Sequence, residues 1–187
     1  GSGQLTVEGQ YLENLFMKGI IGSNTIEANA RMCMTSAVTG YFKTLGSDTP
    51  PTCYDDVEMS DMICFWGHNA RGAHPILYWR AADHKSKANV PTLCVDPRRT
   101  GTVQGLENVN PENSFHFPTI NGDISIHNAL AYAIMEKHPE AVDWDLLKKH
   151  TTGWEKYVEE VKAGYKPEDV VDRTKIPAEE IYKVAAI

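Results

Sequence analysis

Met62-Ile63-Cys64-Phe65-Trp66 and Thr92-Leu93-Cys94-Val95 are the two stretches that decide how this chain folds. Each is a short, almost wholly apolar run bounded by turn residues, the pattern of a parallel strand covered on both faces. Between them Pro75 opens a predicted helix to about Lys85, proline being favoured in a first helical turn. Strand, turn, helix and strand make one βαβ unit. Cys64 and Cys94, inside these strands, are expected in the core.

Working outward, Phe115-His116-Phe117 reads as a third strand, with helices over 123–137, 143–150, 154–162 and 177–186. Pro177-Ala178-Glu179-Glu180 begins the last of these with a proline and two acids, as a first turn prefers. Towards the amino terminus, Leu5, Tyr11, Leu12, Leu15, Phe16 and Ile20 recur at helical spacing over 5–20, closed by Gly19 and Gly22. A second helix runs from about Met34 to Leu45 with Gly46 as its stop, and Pro50-Pro51 forces an extended loop. The predicted architecture is an α/β, Rossmann-like, doubly wound domain with a mainly parallel sheet and a helical C-terminal tail. Residues 1–140 form the α/β domain, and 141–187 are either a helical segment of it or the start of the next.

The chain has 187 residues, 18 Lys and Arg against 25 Asp and Glu, and a formal charge of −7. That balance argues against a nucleic-acid or anionic-membrane surface, which needs a basic excess. No apolar run approaches the roughly 18–20 residues of a membrane span. Gly1-Ser2-Gly3-Gln4 has neither a charged nor an apolar leader pattern, and without an initiator Met the chain is expected to belong to something longer. The four cysteines, at 33, 53, 64 and 94, make neither a zinc-spaced pair nor a disulfide framework. A special cysteine here would act singly; Cys53, beside Pro51 and Tyr54, reads as loop packing.

In open α/β sheets ligands sit beyond the carboxyl ends of the strands. Gly67-His68-Asn69-Ala70-Arg71-Gly72-Ala73-His74-Pro75 follows the first strand, and Asp96-Pro97-Arg98-Arg99-Thr100 follows the second. In the latter the carboxylate suits ribose hydroxyls and the arginines suit phosphates. Gly1-Ser2-Gly3-Gln4 and Asn121-Gly122-Asp123 each precede a predicted helix, whose unpaired N–H groups suit a phosphate. Singly each is an ordinary turn; four together favour a nucleotide-bearing cofactor. His68 and His74 share the first strand's turn and either meet a ligand or tie the turn together. His127, His138 and His150 sit on helices as surface or satisfied groups, and Glu155, Lys156, Glu159 and Glu160 form a solvated face. Cys33 lies just ahead of a helix and two residues after Arg31, surroundings that favour a thiolate able to bind metal or attack an electrophile. The alternative is a small buried hydrophobe.

Asn29-Ala30-Arg31-Met32-Cys33-Met34-Thr35-Ser36-Ala37-Val38, Cys53-Tyr54-Asp55-Asp56, Trp66-Gly67-His68-Asn69 leading to His74-Pro75-Ile76-Leu77, and Val95-Asp96-Pro97-Arg98-Arg99-Thr100 stand in an order that carries a family resemblance. Over about residues 1–130, and again from Tyr165 to Ala186, the chain resembles the molybdenum-bis(pyranopterin guanine dinucleotide) oxidoreductases of the dimethyl sulfoxide reductase superfamily. It is most similar to their periplasmic nitrate reductase branch. The resemblance implies that Cys33 gives a thiolate to molybdenum, a soft ligand suited to a metal already held by sulfur. Met34 beside it resembles the nitrate reductases, whereas formate dehydrogenases typically carry histidine there. It further implies that Gln4, Asn29, Trp66, Gly67, His68, Asn69, Ala70, Arg71, Gly72, Ala73, Asp96, Pro97, Arg98, Arg99, Thr100, Asn121, Gly122 and Asp123 line a pterin guanine dinucleotide, with Asp123 accepting from guanine N–H groups. The family usually shows Pro-Gly-Thr-Asp where this chain has Ile120-Asn121-Gly122-Asp123.

Catalytic subunits of the family are several times longer. The chain is therefore expected to be a fragment that is inactive alone, with the 4Fe–4S cluster domain and the segments for a second pterin lying elsewhere. The implied function is reduction of nitrate to nitrite by oxygen-atom transfer, fed by an electron-donor protein such as a c-type cytochrome subunit. The implied compartment is the periplasm, or the cytoplasm for an assimilatory enzyme. Alternatives are a formate dehydrogenase or other oxyanion reductase of the superfamily, a metal-free nucleotide-binding module, and an unrelated α/β protein with a redox-active Cys33.

Overall fold

The computed structural model describes residues 5–187, and the chain divides into two compact units, Gly1–Thr52 and Cys53–Ile187. In the first unit α1 (Val7–Asn14) begins at Thr6, whose hydroxyl accepts from the Gly9 N–H at 3.2 Å. It runs on into a π-helical stretch, Leu15–Ile20, within the helix expected over 5–20. After α2 (Asn29–Cys33), α3 (Thr35–Leu45) ends as expected at Gly46, in the left-handed conformation. None of these helices buries a residue.

The second unit opens with a 3-10 turn, Tyr54–Met59, followed by β1 (Ile63–Trp66), the short α4 (Ala70–Ala73), α5 (Pro75–Ala88) and β2 (Thr92–Val95). Next come α6 (Gly101–Val109), β3 (Ser114–Phe117) and α7 (Asp123–Lys137). α8 (Trp144–His150), α9 (Trp154–Gly164), α10 (Pro167–Thr174) and α11 (Ala178–Ala185) complete it, so residues 141–187 pack in the same unit as the sheet. The strands lie parallel in the order β1-β2-β3, with Phe65 beside Cys94 and Cys94 beside His116.

Alternation along the strands gives the sheet two apolar faces. Phe65 and Cys94 pack with Tyr78, Ala81 and Ala82 of α5 and with Val103 and Leu106 of α6. On the other face Leu93, Val95 and Phe117 meet Ile126 and Ala129 of α7, Val170 of α10 and Ile181 and Val184 of α11. Helices therefore cover both faces, the layering of a doubly wound α/β fold. Each of the Val, Leu, Ile and Phe side chains among them contributes about 1.5–3 kcal/mol when fully buried.

Two cysteine expectations are corrected. Cys64 is exposed on the edge strand β1, although Met62 and Trp66 on the same face pack against the core around Leu93, Val95 and Phe117. Cys53 is exposed rather than packed, its backbone N–H donating to Asp56 Oδ2 at 2.7 Å. Cys94 is buried as expected, and burial pushes its thiol up to about 12. α2, α4, α6 and α10 are additional to the predicted helices. α6 carries Gly105 for a packing reason: a Cβ there would stand 2.0 Å from the Tyr78 hydroxyl. Glycine is what lets α5 and α6 approach so closely.

Candidate cofactor site at the carboxyl ends of the strands

A parallel sheet sends all its strand ends to one edge, so the turns after β1, β2 and β3 gather there. After β1, the Gly67 N–H continues the ladder by donating to the Val95 carbonyl at 2.7 Å. The next turn is pinned to the start of α6. Thr102 Oγ1 accepts from the Arg71 N–H and donates to Asn69 Oδ1, each at 2.9 Å, and Arg71 Nη1 donates to the Gly101 carbonyl at 3.3 Å. Ala70 is fully buried and anchors α4 in the core, while Gly72 and Ala73 are exposed. His68 Nε2 and His74 Nδ1 lie 2.8 Å apart, one ring nitrogen donating to the other. Burial, and then the neighbouring His74, hold the His68 imidazole below its ordinary range.

After β2, Asp96 is buried, and its Oδ1 accepts from the Arg98 N–H at 2.8 Å while its carbonyl accepts from His116 Nε2 at 2.8 Å. This carboxylate shapes its own turn first, an Asx arrangement that fixes the chain ahead of α6. Arg99 is ion-paired with Glu107. Arg98 is exposed and has no acidic partner among the described residues, so of the two arginines it is the one free to meet an anion. Pro97 is exposed, and Thr100 is the buried N-cap of α6.

After β3, Asn121 takes a left-handed backbone (φ 58°) and Gly122 precedes α7. A Cβ on Gly122 would stand 2.2 Å from Thr119 Oγ1, so this N-cap is glycine for want of space. Asp123 Oδ1 accepts from Trp66 Nε1 at 2.8 Å, joining the ends of β1 and β3 across 57 positions of sequence. The indole of Trp66 stacks on His127, ring centroids 3.8 Å apart and planes within 11°.

The segments 66–73, 96–100 and 121–123 thus share one edge of the sheet, as expected of turns at strand ends, and the fourth expected segment, residues 1–4, lies outside the described residues. Gln4 lies outside the described residues. Asn29 and Cys33 are the first and last residues of α2 in the first unit, both exposed, with Cys33 just ahead of α3 as expected. Thr102, Thr119 and His127 carry no motif and were not expected at the site. The nearest signal is position, Thr119 two residues before the Asn121 turn and His127 four residues after Asp123.

These residues fit a nucleotide-bearing group. Thr119 Oγ1 is buried with no hydrogen-bond partner among the described residues, which calls for a polar contact. α6 and α7 begin with no side-chain cap, which leaves first-turn N–H donors, and Arg98 supplies an unpaired cation. Among the described residues no three or more His, Cys, Asp or Glu side chains are grouped to hold a metal, so a protein cage for one is not built from them. A separate cavity of about 240 Å³, lined by Tyr54, His74, Pro75, Ile76, Leu77 and Arg80, has its arginine committed to Glu58 and Asp55.

The chain is similar to known proteins over most of its length. The family model described as molybdopterin oxidoreductase matches residues 1–141. The periplasmic nitrate reductase of Campylobacter fetus subsp. fetus is 38% identical over 160 residues, 82% of this chain and 16% of the relative. A nitrate reductase of Synechocystis is 32% identical over 188 positions, covering 98% of this chain and 25% of the relative. One from Klebsiella oxytoca is 49% identical over 102 residues, 54% of this chain and 12% of the relative. This chain therefore spans a quarter or less of the length of these relatives. Among solved structures, acetylene hydratase from Pelobacter acetylenicus superposes with a TM-score of 0.68 over 90% of this chain and 22% of that one. At 20% identity the match shows a shared fold.

Proposed function

Because the chain belongs to the molybdopterin oxidoreductase family, we propose that it is part of a nitrate reductase catalytic subunit that converts nitrate to nitrite. The observation that carries this reading is the union of three strand-end segments at one edge of the sheet, with the unpartnered Thr119 hydroxyl and the Trp66–Asp123 bond between them. The match to nitrate reductases supports the substrate.

When bound, a molybdenum pterin centre supplies two-electron oxygen-atom exchange. The chain's own part is to hold and orient the cofactor. Cys33 is the proposed metal ligand, a thiolate in place of a protein cage. Gly67 to Ala73, Asp96 to Thr100 and Asn121 to Asp123 seat the guanine dinucleotide. Arg98 and the first-turn N–H groups of α6 meet phosphate. Asp123 accepts from the guanine edge, a donor pattern a carboxylate matches. Gln4 and Asn29 complete the proposed lining. A 4Fe–4S cluster elsewhere in the protein, an electron donor such as a c-type cytochrome, and a periplasmic site complete the reading. No helix among the described residues is long and apolar enough to cross a membrane.

The test is elemental analysis and turnover of the intact protein from its native source. The reading expects about one molybdenum per chain and nitrate reduction with a reduced dye. Cys33→Ser should lower activity by orders of magnitude while nucleotide binding persists. Tungsten with formate oxidation would move the assignment to a formate dehydrogenase. Absence of metal together with retained nucleotide binding would leave a metal-free binding module.

A further inference from the structure

The contact between Trp66 and Asp123 does more than join two strand ends. Asp123 is exposed and sits in the first turn of α7, where a carboxylate is free to rotate and to lean on its own helix's N–H groups. The Trp66 indole N–H holds one of its oxygens at 2.8 Å. The indole is itself held twice: its body packs against the core formed by Leu93, Val95 and Phe117, and its ring lies on the imidazole of His127. His127 follows Asp123 by four residues, so hydrogen bond and stacking partner stand on one face of the same helix. A swing of the indole would break both contacts at once.

We infer that Trp66 and His127 are a positioning pair that fixes the carboxylate plane of Asp123 for reading a nucleobase edge. The inference rests on the proposed reading of this edge as the seat of a guanine nucleotide. Guanine offers two adjacent donors, a ring N–H and an exocyclic amine. Hypoxanthine keeps the ring N–H and lacks the amine. A carboxylate in a fixed plane meets both guanine donors, through Oδ2 and the remaining lone pair of Oδ1, and so separates the two bases. A rotating carboxylate meets either base with one good bond and separates them poorly. Trp66 and His127 touch Asp123 or each other, and their action on the base passes through Asp123.

The experiment is calorimetric titration of the intact protein, freed of cofactor, with guanosine diphosphate and inosine diphosphate. Hydrogen bonds to charged groups are worth enough to give the native protein about a tenfold preference for the guanosine ligand. Trp66→Phe, which keeps an aromatic ring and removes the N–H, should cut that preference to about twofold or less. His127→Ala, at an exposed position that tolerates truncation, should narrow the preference partly, and His127→Phe should restore it by restoring the stack. An unchanged preference in both Trp66→Phe and His127→Ala overturns the inference, as does equal binding of the two ligands by the native protein. If the native protein binds neither ligand, the nucleotide reading falls, and the inference with it.

Discussion

The two units of this chain obey the same local rules and reach opposite ends. In the first, α1 starts at a threonine cap and α3 stops at a left-handed glycine, yet no residue of these helices is buried, and Leu12, Phe16 and Phe42 are 61%, 53% and 58% exposed. In the second, strands of only four residues carry Leu93 at 1% and Val95 at 2% exposure. Capping and apolar spacing set where a helix starts and stops, and burial needs a second surface of matching shape. The sheet supplies that surface twice, once for α5 and α6 and once for α7, α10 and α11.

That contrast is open to measurement. Leu106→Ala, in the core beneath α6, should lower unfolding free energy by about 2–5 kcal/mol in urea titrations; a loss under about 1 kcal/mol would show the second unit is not held by this packing. Lys175 has a left-handed backbone (φ 61°) between α10 and α11, a conformation that disfavours any side chain with a Cβ. Lys175→Gly should therefore raise stability by about 0.5–1 kcal/mol, read as a higher urea midpoint. A smaller effect is expected from pH. His68 is held below 6.5 in the folded chain, so the unfolded chain binds more protons as pH falls through 6.5 and below, and stability falls with it. Thermal melts from pH 7.5 to 5 should show a shallower decline in His68→Gln, and parallel declines would remove His68 as a contributor. Smallest of all, Leu12→Ala in the first unit should change stability by no more than about 0.5 kcal/mol. A loss like that of Leu106→Ala would erase the distinction between the units.

Legibility in the sequence followed the same divide between local and distant causes. The strands at 63–66 and 92–95 were readable because continuous apolar runs between turn residues have few other uses. α6 was not, because Gly101 and Gly105 lower helix propensity, and the reason for Gly105, the Tyr78 hydroxyl on a neighbouring helix, is not local. α10 carries a legible start, Pro167 in its first turn followed by Glu168 and Asp169, but few apolar residues in the polar tail mark its length. Cys64 was misjudged because an edge strand and a central strand share one apolar signature, and only the strand order tells them apart. The turns of the candidate site were legible as turns at strand ends. Their cross-links were not: the Trp66–Asp123 bond, the Thr102 bridge and the unpartnered Thr119 hydroxyl depend on residues brought together by the fold.

The strand order has a consequence for how the sheet is assembled in time. Because β1, β2 and β3 lie side by side in the order in which they are synthesised, each new strand needs only one helical crossover to reach a partner already in place. The loop to be closed at each addition is therefore short for a parallel sheet, which keeps the entropic barrier to pairing low. On a ribosome the second unit would grow outward from β1, strand by strand, and α10 and α11 would arrive last to close over Leu93, Val95 and Phe117. Until then only α7, through Ile126 and Ala129, covers that face of the young sheet, and part of its apolar surface stands open to water.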